Sequence, residues 1–145
     1  MPHAEQTYAN HHRYDPKYHF FAAPIVAINI IVRVVYLFRW PGLGTAWDVA
    51  VAVALGIVTL VARTYALRAQ DRVIRLEETM RLTRLLPDDL RPRIGELRPS
   101  QLIALRFCSD AELPEMTRAV LADARKSGKE IKQEVRSWRA DWLRV

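Results

Sequence analysis

WDVAVAVALGIVTLVA (residues 47–62), continuing directly into RTYALRAQDRVIRLEETMRLTRLL (residues 63–86), decides the fold. No proline interrupts the stretch and Gly56 is its only glycine, so both halves read as one helix. The first half is almost purely apolar, and the second carries an arginine at nearly every turn. At about 1.5 Å per residue the helix is about 60 Å long, and about half of that matches a hydrocarbon core about 30 Å thick. The change of solvent falls near Arg63. The stretch therefore predicts a membrane span that runs on as a charged rod.

Upstream lies a second apolar stretch, FFAAPIVAINIIVRVVYLF (residues 20–38). It is as long as a membrane is thick, it starts far from Met1, and Arg39-Trp40 stands where a signal peptide would need small residues for cleavage. RWPGLGT (residues 39–45) breaks the helix and is short enough only for an antiparallel return. The expectation is an all-α membrane protein. Its two-helix transmembrane hairpin has spans at about 20–38 and 46–66, and the second helix extends into a cytoplasmic tail. Three segments follow: a polar and aromatic leader (1–19), the hairpin (20–67) and a basic helical tail (68–145).

The polar residues inside the spans share faces. Ala22, Asn29, Arg33 and Tyr36 recur at helical intervals, as do Asp48, Ala52, Gly56, Thr59 and Arg63. An arginine deep in a span costs about 2.5–3.5 kcal/mol on insertion scales, so it needs a partner unless it snorkels to the interface. Folding the hairpin about Gly42 brings Arg33 within reach of Asp48, which predicts an ion pair. Gly56 and Ala52 allow close helix packing. Tyr14, Tyr18, Trp40 and Trp47 fall at the span ends as interfacial anchors. Arg13 and Lys17 precede the first span, and Arg63, Arg68, Arg72 and Arg75 follow the second. The turn offers Arg39 alone. This asymmetry predicts that both termini are cytoplasmic.

Beyond the spans, Ala66, Ala69, Val73, Leu76, Met80 and Thr83 step by threes and fours, with Leu67, Ile74, Leu82 and Leu85 as a flanking stripe. The stepping stripe is either a dimer seam or a face for the chain's own tail. Its shortness and leading alanines favour the tail. Glu77 and Glu78 read as members of a solvated helix face. Pro87-Asp88-Asp89 stops the rod, and short helices are expected at 90–97, at 101–107, after Ser109-Asp110, and at 129–143. The last would present Ile131, Val135, Trp138 and Trp142 on one stripe, with Trp138 and Trp142 docking a partner. So small a tail buries only a modest core, and the rod or a partner must supply a wall.

Charge and chemistry narrow the function. Lys and Arg number 22 against 16 Asp and Glu, a formal net charge of +6. Eighteen of the basic and thirteen of the acidic residues follow Ala62. A basic segment directly after a span fits topology and anionic headgroups better than nucleic acid. Cys108 is the single cysteine, so no internal disulfide forms. The histidines all lie in the first nineteen residues. No triad, phosphate loop or dinucleotide fingerprint is assembled. A zinc site at His11-His12 is disfavoured because adjacent side chains diverge and no further ligand sits at metal spacing. With no histidine in either span, imidazole ligation of haem or chlorophyll in the membrane is not expected. No catalytic residue, metal or cofactor is assigned.

Four stretches carry a resemblance: Asn10-His11-His12-Arg13-Tyr14 with Tyr18-His19-Phe20; Gln70-Asp71-Arg72-Val73-Ile74-Arg75-Leu76-Glu77; Ala104-Leu105-Arg106-Phe107-Cys108-Ser109-Asp110 with Glu112-Leu113; and Ile131-Lys132 with Trp138-Arg139-Ala140-Asp141. Together the chain resembles an uncharacterised family of small bacterial two-span inner-membrane proteins, sometimes labelled permease-like. The resemblance covers essentially the whole chain. It implies the topology above and adds no activity. Cys108 and the closing tryptophan pair depart from the family pattern.

The functional expectation is a non-enzymatic accessory or scaffold subunit of a bacterial membrane complex, respiratory or photosynthetic in type. The hairpin packs laterally on integral membrane partners and lipid, and the tail docks on the cytoplasmic face. Two alternatives stand beside it. In one, a homo-oligomeric transport or channel component is lined by Asn29, Arg33, Thr59 and Asp48. In the other, a membrane-surface adaptor uses its arginine rows to bind anionic lipid.

Overall fold

A computed structural model of the chain describes residues 6–11 and 14–141, and every regular element among them is helical. Helix α1 (Ala23–Arg39) follows a π-helical turn, Lys17–Ala22, the two forming a 23-residue helical run, Lys17–Arg39. Pro24, which has no N–H to donate, sits where the hydrogen-bond pattern changes from π to α. Helix α2 (Leu43–Leu85) has 43 residues. The expected turn of seven residues shrinks because Thr45 Oγ1 lies 2.9 Å from Gly42 O and 3.0 Å from Trp40 O, and its hydroxyl donates back across the bend. After α2 come a 3₁₀ turn (Arg91–Glu96), α3 (Pro99–Leu105), α4 (Leu113–Ala122) and α5 (Gly128–Glu134).

The chain divides into two compact units, to both of which α2 contributes. The first is Tyr14–Arg68. Within it α1 and α2 lie side by side. Ala52 is buried, and a Cβ placed on Gly56 would come within 3.1 Å of Ile30 Cδ1 and 3.6 Å of Val26 Cγ1. Small residues thus set the approach of the helices. Their remaining surface is apolar and open: Ile25, Ile28, Ile31, Ile57, Val58 and Leu60 are all exposed. Both helices are long and apolar enough to cross a membrane. Of the most apolar window in each, 0% and 6% is buried. The core helix of a soluble domain would be covered.

The second unit joins residues 6–11 to residues 69–141. The stem of α2 and the residue that follows it supply the wall that the tail lacks: Leu82 and Leu86 are fully buried against Leu105, Leu113, Val120 and Ile131. α3 and α5 make the closest pairing of the short helices. At Gly128, the first residue of α5, a Cβ would stand 3.0 Å from Ser100 O. Ser127 caps α5 reciprocally. Its Oγ accepts the Glu130 N–H at 3.3 Å, and the Glu130 carboxylate accepts the Ser127 N–H. Gln101, buried on α3, donates to Lys126 O at 3.1 Å and so ties down the loop before α5.

The structure departs from the sequence expectation at several points. The helix expected at 90–97 is a 3₁₀ turn, and the helix expected at 129–143 ends at Glu134. Val135 is extended, and the chain after it pairs with the segment that follows α3 as an antiparallel bridge between Cys108 and Trp138. Ser109 N–H donates to Ser137 O at 2.9 Å, and Arg139 N–H to Phe107 O at 2.8 Å. Those bonds replace the ones a continued helix would make. Ile131, Val135 and Trp138 therefore do not form a helical stripe, and Trp142 lies outside the described residues. On the stem, the tail covers the flanking residues Ile74 and Leu82 and leaves Val73, Leu76 and Met80 exposed. The described residues of the leader divide between the units, 14–19 falling in the first. Gln6 and His11 are buried in the second unit.

Candidate functional site

In the first unit the spacing of α1 and the short turn bring one ion pair together. Arg33 Nη1 donates to Asp48 Oδ2 at 2.9 Å, with the two side chains 44% and 47% exposed. Asn29, half-buried on α1, is not part of this pair, and its side chain makes no hydrogen bond to a described residue. Thr59 is satisfied by its own helix, its hydroxyl donating to Leu55 O at 2.8 Å. Aromatic residues gather at the two ends of the unit. At the turn, Trp40 and Trp47 are exposed, and Trp40 lies 5.1 Å from the Tyr36 ring. At the other end, Tyr14 and Tyr18 contact the His19 ring edge-on, and the Arg63 guanidinium sits 5.5 Å above Tyr18.

The second unit holds a charged network that sequence reasoning did not find. Arg81, on the inward face of α2, is buried. Its Nη1 donates to Glu78 Oε2 at 3.0 Å, its Nη2 to Cys108 O at 2.7 Å, and its Nε and Nη2 to Asp110 Oδ1 at 2.9 and 2.6 Å. Glu78, expected on a solvated face, is buried too, and Arg139 Nη1 donates to its other oxygen at 3.2 Å. The hydrogen bonds from Arg81 hold the Asp110 carboxyl below the usual carboxylate range, and the charges of Arg139 and Arg84 act in the same direction. Beside them, burial pushes the Cys108 thiol up to about 12. A thiol so raised is neither a nucleophile nor a ready metal ligand at neutral pH. The signal was the i, i+3 spacing of Glu78 and Arg81 in register with the buried Ile74 and Leu82.

A second cluster joins the leader to the tail. The His11 ring is stacked on Tyr8, and lies 5.8 Å from Phe107 and 5.8 Å from Trp138. Its Nδ1 is 2.6 Å from Tyr8 O, and Lys132 Nζ lies 3.5 Å from its Nε2. Arg106 covers the Phe107 ring at 4.5 Å and pairs with Asp141 at 3.2 Å. Gln6 Oε1 accepts the Asp141 N–H at 2.9 Å. Trp138, expected to dock a partner, is half-buried here against the chain's own core. An open groove of about 780 Å³ runs between α4 and residues 133–137. Its Glu112 carboxylate is already engaged, accepting the N–H groups of Arg136 and Ser137 at 3.0 Å each. The groove's serines, Ser109 and Ser137, have no histidine beside them in its lining. These clusters tie segments together, and neither assembles a base with a nucleophile.

Comparison with known proteins places the chain in a family. The model of the family of unknown function DUF6526 matches residues 1–145, and the chain belongs to that family. No curated protein matches it, and no solved structure matches it. Three of the four stretches that carry the resemblance meet in the second unit: His11 against Phe107 and Trp138, Lys132 over Phe107, and Cys108 bridged to Trp138.

Proposed function

We propose that this chain, a member of a family without an assigned activity, is a non-enzymatic accessory or scaffold subunit of a larger bacterial inner-membrane assembly. The observation that carries the reading is the Arg33–Asp48 pair on two helices whose other surface is open and apolar. An arginine neutralised inside its own hairpin holds the two helices together and leaves their outer faces for lipid or for neighbouring spans. The same neutralisation argues against a pathway lined by Arg33 and Asp48. Asn29 supplies a polar group for hydrogen bonding to a neighbouring helix.

In this reading α1 and α2 form a transmembrane hairpin, with Trp40 and Trp47 at one interface and Tyr14 and Tyr18 at the other. Lys17, Arg63, Arg68, Arg72 and Arg75 mark the cytoplasmic side, where the basic stem meets anionic headgroups. The test is purification of the tagged chain from its native membrane in gentle detergent, with mass spectrometry of what accompanies it. Recovery in fixed ratio with a large energy-converting complex is the expected result. Arg33→Leu lowers that recovery severalfold while the chain stays in the membrane. Recovery of the unaltered chain alone would overturn the reading.

A further inference from the structure

The α2 stem carries two apolar stripes, and the fold uses one. Ile74 and Leu82 are buried, whereas Val73, Leu76 and Met80 are 54%, 63% and 60% exposed. With Ala69 and Thr83, also exposed, the open residues alternate in steps of four and three. In heptad terms Val73 and Met80 occupy a positions, and Ala69, Leu76 and Thr83 occupy d positions. The Val73–Leu76 heptad has a β-branched residue at a with leucine at d, the combination that favours two parallel strands.

The flanks of this stripe carry complementary charge. Arg72 stands at g and Glu77 at the following e. In a parallel, in-register pair each g position faces the following e position of the other helix. Arg72 then meets Glu77 of the other copy, twice by symmetry. An antiparallel pair sets g against g and e against e, which opposes like charges. Among the described residues, neither Arg72 nor Glu77 has an ion pair or side-chain hydrogen bond of its own.

We infer that residues 69–83 are a homodimer seam that takes a second copy of this chain as a parallel two-stranded coil. The seam is two heptads long and too short to associate strongly alone. The inference therefore rests on the membrane reading above, because two copies inserted the same way in one bilayer are already parallel and concentrated.

The test is oxidative cross-linking of the full chain, co-expressed with two different tags, in native membranes. Leu76→Cys and Met80→Cys should form a covalent dimer carrying both tags. Asp71→Cys and Arg75→Cys, exposed on the stem away from the seam, should not, and neither should the parent chain, whose Cys108 is buried. Adding Arg72→Glu to Leu76→Cys should cut the cross-link about fivefold by placing like charges on both flanks. Glu77→Arg in the same chain should restore it. Carbonate washing shows separately whether the chain is integral, and the cross-link is read in whichever fraction holds it. Loss from the membrane counts against the membrane reading. The seam itself is overturned by no cross-link at Leu76→Cys, equal cross-linking at Asp71→Cys, a cross-link to a different protein, or no rescue by the charge swap.

Discussion

Arg81 and Glu78 are placed so that neither tolerates loss of the other. Both are buried, and Glu78 receives hydrogen bonds from Arg81 and Arg139. Removing the more central cation leaves a buried carboxylate short of a partner. Arg81→Met should cost about 3–5 kcal/mol of the tail's stability in denaturant titration of the full chain. Glu78→Gln in the same chain should recover part of that loss. Equal destabilisation of the single and double variants would contradict the coupling. Cys108 gives a second check. Its folded pKa is raised to about 12, so the thiol resists alkylation at pH 8 until denaturant is added. The linked stability is complete below the unfolded thiol's pKa of about 8.5 and is lost as the pH rises toward the folded value. A thiol alkylated quickly in the native protein would refute the burial.

At the scale of elements, packing turns on small residues. The start of α5 lies so close to α3 that Gly128→Ala would press a methyl group against Ser100 O at 3.0 Å. Backbone on the far side cannot rotate away, and a loss of about 1–3 kcal/mol is expected from thermal unfolding of the variant. An unchanged midpoint would show that α5 can move. At Gly56 the nearest atom is the end of the Ile30 side chain, which can turn aside, so Gly56→Ala is the milder change. The two long apolar helices, the turn and the Arg33–Asp48 reach were legible in the sequence because a helix of constant pitch fixes which residues align across a short turn. The end of α5 was not. Ile131, Val135 and Trp138 satisfy helical spacing, and the chain leaves the helix because residues 137 and 139 find backbone partners near Phe107.

At the scale of the molecule, the two units have separate interiors: one buries Ala52 and packs the half-buried Gly56 between two apolar helices, the other holds a leucine-rich core. In micelles, urea should therefore unfold the tail first and leave the helicity of residues 14–68, giving two transitions by far-UV circular dichroism. Acid should act on the first transition. The folded pKa of Asp110 is depressed by Arg81. Its stabilisation is present above the unfolded carboxyl value of about 3.9 and is lost as the pH falls through the folded value. Asp110→Asn should flatten that acid limb. A single transition, or an unchanged limb, would contradict the separation or the pairing respectively.

Length, polarity and pitch by themselves determined the helical class, the two apolar helices, the return between them and the candidate pair across it. Each depends on neighbours in sequence or on one short turn. Only the tertiary structure decided that residues 6–11 join the tail, that Trp138 packs inward, that Glu78 and Arg81 are buried, and which stripe of the stem stays open. Those outcomes join residues as far apart as His11 and Trp138 or Arg81 and Asp110. Amphipathic spacing shows that a face will be covered. What covers it depends on competition among distant segments for the same surface.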